Sequence, residues 1–234
     1  MANARRGFVP KDEKEFNDES IAILKKAQKD ILYLIEHGYP IKGASTFVGN
    51  HYLLSERQRL ALVRATATRE MIALRQSKQL VKKQIGGKVL IDGLNTIITL
   101  EVALSRGTLV KCMDGTIRDL AGLRGTYRII DETRTAVVLI GEHLSRLNIQ
   151  EAVFYLDAPV SNTGRLKTLI YELLEGYSYR LEVELANNVD LLLKESGQIV
   201  STDAIILNKC TSWYNLTANI IEEKLFDIPL VDLS

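Results

Sequence analysis

The sequence predicts an α/β protein, with a basic helical N-terminal region over residues 1–85 and a parallel-sheet domain over 86–234. Three observations carry this. The apolar residues recur at helical spacing up to Gly86-Gly87, and beyond it short apolar runs alternate with helical stretches. Strands alternating with helices build parallel sheets. The charge also divides there: residues 1–88 hold 17 Lys and Arg against 9 Asp and Glu, and residues 89–234 hold 13 against 20. Finally, 46% hydrophobic residues supply enough apolar surface for a core, which excludes a disordered chain.

Taken in order, residues 1–17 are polar and expected to fray. Ile21, Leu24, Ile31, Leu34 and Ile35 form one face of a helix from about Asp18, stopped by His37-Gly38-Tyr39-Pro40. Residues 43–49 read as a loop. Ser55, with Gln58 three residues on, opens a second helix running to about Arg75. On that helix Arg57, Arg64 and Arg75 fall within about 80° of one another, so they serve either phosphate binding or docking onto the acidic half.

After Gly86-Gly87, Val89–Ile91 reads as a buried strand ending in Asp92-Gly93, and 94–105 as a helix. Residues 106–130 are irregular and rich in Gly and Arg. Helices are expected at 133–147, 164–175, 188–195 and 213–225, and strands at 152–156, 179–185, 198–200 and 228–231.

Ligands of open parallel sheets gather at the carboxyl ends of strands. Asp92, Asp157 and Asp203 occupy such ends, and Asp190 sits in the first turn of the helix before the last of these strands. Each alone can cap a helix or turn. Together they form a set of like charges that a divalent cation would stabilise, and hard oxygen ligands suit Mg²⁺ or Mn²⁺.

Asp92-Gly93-Leu94-Asn95, Phe154-Tyr155-Leu156-Asp157 and the stretch from Val189-Asp190 to Ser201-Thr202-Asp203 resemble the acidic motifs of PIN-like nuclease domains, the PilT N-terminus and NYN types. The resemblance implies a PIN-like fold over 86–234 and a metal-dependent nuclease. Asp92, Asp157, Asp190 and Asp203 would then be its catalytic and metal-holding acids, with Asn95, Ser201 and Thr202 supporting them. Many such domains carry the second acid on an early helix, so Asp131 or Glu132 stands as an alternative to Asp157. Phe47-Val48-Gly49-Asn50-His51 with Glu56-Arg57-Gln58-Arg59 resembles an uncharacterised prokaryotic family, domain of unknown function 434, a likeness extending over most of the chain.

Further candidates surround these motifs. Asn162 and Arg165, at a helix start soon after Asp157, are expected to face a phosphate. Arg118 and Arg124, in the Arg-rich stretch with Arg106, Lys111, Arg128 and Arg134, are expected on a mobile basic flap over a nucleic-acid strand. Met113-Asp114-Gly115-Thr116 resembles a haloacid dehalogenase-type phosphatase signature, but Cys112 replaces the nucleophilic Asp, so that chemistry is excluded. No phosphate-binding GxxxxGK[ST], GxGxxG or HExxH motif occurs. Cys112 and Cys210 are too few for a disulfide framework or a zinc set. No apolar leader or membrane-length run is present, so a cytoplasmic protein without membrane association is expected. The expected partner is nucleic acid, RNA ahead of DNA by analogy, with homo-oligomerisation open. The competing expectation is a nucleic-acid- or partner-binding module whose carboxylate site is vestigial.

Overall fold

The computed structural model describes residues 5–122 and 125–234. It has the predicted α/β architecture. Four parallel strands form the main sheet in the order β5-β4-β1-β6: β1 (Gly86–Asp92), β4 (Asn148–Asp157), β5 (Arg180–Ala186) and β6 (Ile199–Val200). β1 and β4 are central, which is why Val89, Ile91, Ala152, Val153 and Phe154 are all buried. β5 lies at the edge, and its charged residues Arg180, Glu182 and Glu184 alternate with Leu181, Val183 and Leu185, as edge pairing requires.

The helices between these strands are α6 (Gly93–Leu104), α7 (Asp131–Ser145), α8 (Thr163–Leu174), α9 (Val189–Leu193), α10 (Ala204–Lys209) and α11 (Leu216–Lys224). α6 is apolar nearly all round and buried along most of its length. Its one buried acid, Glu101, accepts hydrogen bonds from Tyr127 Oη at 2.6 Å and from Thr133, and pairs with Arg6.

The described part of the Arg-rich stretch carries strands rather than a flap. It contains β2 (Leu109–Lys111) and β3 (Ile117–Asp119), which with β7 (Leu230–Asp232) make a second sheet, β3-β2-β7. β2 runs antiparallel to β3 and parallel to β7. Arg106 and Arg134 pair with Asp227 and Glu172, so their charge is committed to the surface of the fold.

The N-terminal segment is helical throughout: α1 (Asp12–Glu15), α2 (Asp18–Glu36), α3 (Ile41–His51), α4 (Glu56–Ala65) and α5 (Arg69–Lys78). Residues 5–17 are docked rather than frayed. Asp12 is buried against Arg57 (2.5 Å) and Thr108 (2.6 Å), and the Arg5 guanidinium donates to Ser105 O. The loop expected at 43–49 is α3, because Ala44, Ser45 and Val48 pack inward at helical spacing. The single helix expected from Ser55 to Arg75 is two helices, broken where Thr66 turns extended and Thr68 caps α5 through the Met71 amide.

The segment shares its core with the rest of the chain. Leu24, Ala27, Ile31, Val48, Ala61 and Leu62 pack with Val110, Cys112, Leu120, Val231 and Leu233, all from beyond the expected boundary at Gly86-Gly87. Among the described residues no helix is long and apolar enough to cross a membrane.

Candidate functional site

β1, β4 and β6 run parallel and end together, and each is followed by an acid or leads to one. Asp92 closes β1, Asp157 closes β4, and Asp203 lies three residues past β6. Asp190 is in the first turn of α9, which follows β5. Through this topology all four acids line one cleft of about 920 Å³ at the carboxyl edge of the sheet. The opposite boundary is built by the helical segment, with Ile35, Tyr39, Ile41 and Met71. Asp131 lines a different hollow, beside Arg134 and Glu172, and Glu132 lines neither, so of the three only Asp157 lines this cleft.

Asp92 is the most enclosed of the four. Burial pushes its carboxyl up to about 7; the Ser201 hydroxyl, donating at 2.8 Å, opposes this, and the charges of Asp157 and Asp203 reinforce it. Asp157 is raised by burial and by Asp190, and Asp190 by burial and by Asp203. Asp92, Asp157 and Asp190 therefore each feel a neighbour in the set. Asp203 spends one oxygen on the N-terminus of α10, accepting from the Ile205 and Ile206 amides at 2.7 and 3.2 Å.

Of the neutral groups expected to support the acids, only Ser201 bonds one with its side chain; Asn95 and Thr202 bond each other instead. Ser201 Oγ donates to Asp92 and accepts from the Asp203 amide at 3.0 Å. Asn95 Oδ1 accepts from both the amide and the hydroxyl of Thr202, each at 2.9 Å. These bonds tie the start of α6 to the loop after β6, so the β1 and β6 acids are held by one bracket.

The acids share a wall but not a closed ligand shell. Among the described residues no three carboxylate, imidazole or thiol groups stand close enough together to hold one cation. The donor set nonetheless suits a hard divalent ion: every ligand atom is a carboxylate oxygen, and the charges raising one another lack a countercharge within the set.

The expected substrate-binding residues fare differently. Arg118 is not on a flap. Its Nε donates to Thr202 O at 2.8 Å and its Nη2 to Asp114 at 2.6 Å, with a further bond to Arg64 O. Asn162 has φ +65° and donates through Nδ2 to Tyr127 O at 2.7 Å, which fixes the turn before α8 instead of offering the amide to a ligand. Arg165 is exposed and borders the hollow beside Asp131, away from the acids. Arg124 lies outside the described residues.

Of the arginines of the helical segment, Arg64 and Arg75 dock onto acids beyond it, whereas Arg69 is largely exposed and pairs within the segment. Arg57 pairs with Asp12, Arg64 with Asp119, Arg69 with Glu36 and Arg75 with Asp114. Asp114, in the stretch resembling a phosphatase signature, is the hub of this network. One oxygen accepts from Arg75 and Arg118, both at 2.6 Å, and the other from Thr116. Sequence reasoning missed this hub because Arg75 comes from α5, which meets Asp114 only in the folded chain. It also missed Tyr39, whose place at the cleft depends on how α2 and α3 meet.

Residues 81–219 match the model of a family described as Domain of unknown function (DUF5616), and residues 23–78 match Protein of unknown function (DUF434). The second likeness is thus confined to the helical segment rather than extending over most of the chain. Uncharacterized protein MJ0935 of Methanocaldococcus jannaschii is 37% identical over 185 residues, which is 79% of this chain and 88% of that protein. No solved structure matches significantly.

Proposed function

The chain belongs to the family described as domain of unknown function DUF5616, and from its cleft we propose that it is a metal-dependent nuclease that hydrolyses phosphodiester bonds, with RNA favoured over DNA. One observation carries the reading: four acids from separate elements line a single cleft at the carboxyl edge of a parallel sheet. That is where open α/β sheets bind ligands. A set of mutually repelling carboxylates is destabilising unless it serves a cation. The PIN-like likeness of the motifs supports the same chemistry.

Since no three of them stand close enough for one cation, Asp92, Asp157, Asp190 and Asp203 would hold Mg²⁺ or Mn²⁺ through one or two carboxylates per ion, with water completing the shell; the ion would activate water and stabilise charge on the phosphate oxygens. Ser201 holds one oxygen of Asp92 through its hydroxyl. The Asn95–Thr202 bonds fix the loop that presents Asp203. The capping of α10 by one Asp203 oxygen leaves the second available as a ligand atom.

The test is Asp203→Asn in a cleavage assay with Mn²⁺ and mixed single-stranded RNA and DNA. Asn caps a helix about as well as Asp. It lacks the negative charge that holds a cation. The variant should fold and bind as wild type and lose cleavage. Equal cleavage by both proteins would make Asp203 structural. Wild type that cleaves nothing across several metals would leave a binding module, a reading favoured by the open spacing of the acids.

A further inference from the structure

Resting on the nuclease reading, we propose that the helical segment supplies a nucleobase-binding wall with Tyr39 at its centre, so that the cleft engages substrate one nucleotide at a time. Tyr39 lines the cleft and is 60% exposed. A large aromatic ring left open at the mouth of an acidic cleft is placed to stack on a flat partner. Its direction is fixed by the chain around it. Gly38 takes φ +85°, the Gly38 and Tyr39 amides donate to Ile35 O and Leu34 O at 3.1 Å, and Pro40 follows as the cap of α3. Met71 and Ile41 continue the apolar wall from the same segment, and Ile205, 59% exposed, meets it from α10.

The charges of the cleft argue the same way. Its cations among the described residues are Arg64, Arg75 and Arg118; all three are committed to Asp119 or Asp114, Arg64 and Arg118 also to backbone carbonyls and Arg75 to Asn208 Oδ1. A polymer tracked by its phosphates needs a row of free cations. A base held on its face does not. The cleft volume, about 920 Å³, also falls in the class of small-molecule pockets, about 300–1,000 Å³. The substrate class that fits is a short oligonucleotide or the single-stranded end of a longer one, its terminal base against Tyr39 and its phosphate toward the acids.

Binding is measured by calorimetry in Ca²⁺, which separates it from turnover, with a mixed-sequence RNA tetranucleotide and a long RNA of the same composition. The two RNAs should bind with comparable affinity and shallow salt dependence. Tyr39→Ala should weaken both about tenfold, and Tyr39→Phe should restore binding. Unchanged binding by Tyr39→Ala, or a long RNA that binds far more tightly with a steep salt slope, overturns the proposal. Tyr39-dependent binding without cleavage by wild type leaves the base wall standing and removes the nuclease reading. Cleavage that is indifferent to Tyr39→Ala, with binding also unchanged, does the reverse. No binding of either RNA overturns the base wall whatever the cleavage assay gives.

Discussion

Ser201 Oγ donates to Asp92 and accepts from the Asp203 amide, so one hydroxyl links two acids of the cleft. Its donation is what opposes the upward push of burial on Asp92. Ser201→Ala removes that opposition, so Asp92 should keep its proton to higher pH. If ionised Asp92 is needed for cleavage, the acid limb of the pH–rate profile should move upward, with activity about 10- to 100-fold lower below it. Ser201→Thr should restore the profile. A uniform loss of activity with an unmoved limb would mean that Ser201 acts on the loop's shape and not on Asp92's proton.

At the scale of elements, Gly93 joins β1 to α6 immediately after Asp92. A Cβ there would lie 2.6 Å from Leu156 Cδ2 and 2.9 Å from Tyr155 O, which is backbone of β4. The side chain of Leu156 could turn aside, but the strand could not. Gly93→Ala should therefore displace α6 from β4, cost about 1–3 kcal/mol in urea unfolding, and disturb the placement of Asp92 against Asp157. Stability and activity unchanged from wild type would refute this close-packing account. The same scale shows what the sequence made legible. Strands, their acids and most helices of residues 86–234 could be read because apolar period and turn residues coincide there. The break at Thr66–Thr68 was masked by the Leu, Ala and Arg residues that continue on both sides of it, although Thr68 is a local N-cap. β2 and β3 are three residues each, too short to show a period, and exist by pairing with each other and with the distant β7. The acids were legible one by one from their motifs. Tyr39 and the Asp114 hub were not, since both arise from elements that meet only in the folded chain.

Across the whole molecule, Asp114 binds the helical segment to both sheets. Arg75 comes from α5 and Arg118 from β3, and Arg118 also reaches Thr202 beside the acids. Asp114 is held well below the usual carboxylate range; its burial opposes this, but Arg118, Thr116 and Arg75 outweigh it. Asp114→Ala should cost about 3–5 kcal/mol, because two buried cations lose their partner. Chemical denaturation followed by near- and far-ultraviolet circular dichroism should show it as one transition at lower denaturant. Two separate transitions would mean the segment and the sheets unfold independently.

A second global property is pH dependence. His143 on α7 is buried with Nε2 2.8 Å from Tyr214 Oη, and burial lowers its pKa to about 4, with Glu223 opposing. The unfolded chain, titrating near 6.5, binds the proton first. Stability from this group is therefore full above about pH 6.5 and is lost as pH falls toward 4, by up to about 3 kcal/mol. His143→Gln should flatten that part of the stability profile, as measured by denaturation across the window. An equally steep decline in the variant would assign the effect to other groups.

The core shared by the helical segment and the second sheet sets a timetable for synthesis. Gln28 donates to Leu233 O at 2.9 Å across 205 residues, and Leu24 and Ile31 await Val231 and Leu233 to cover them. At about 5–20 residues per second, the first helices leave the ribosome roughly 10–40 s before the strand that completes their packing. During that interval α2 must keep its apolar face on provisional partners, such as α3 and α4, or on a chaperone. The nascent chain is thus at its most adhesive early in its making, and the final strand acts as the clasp that ends the exposure.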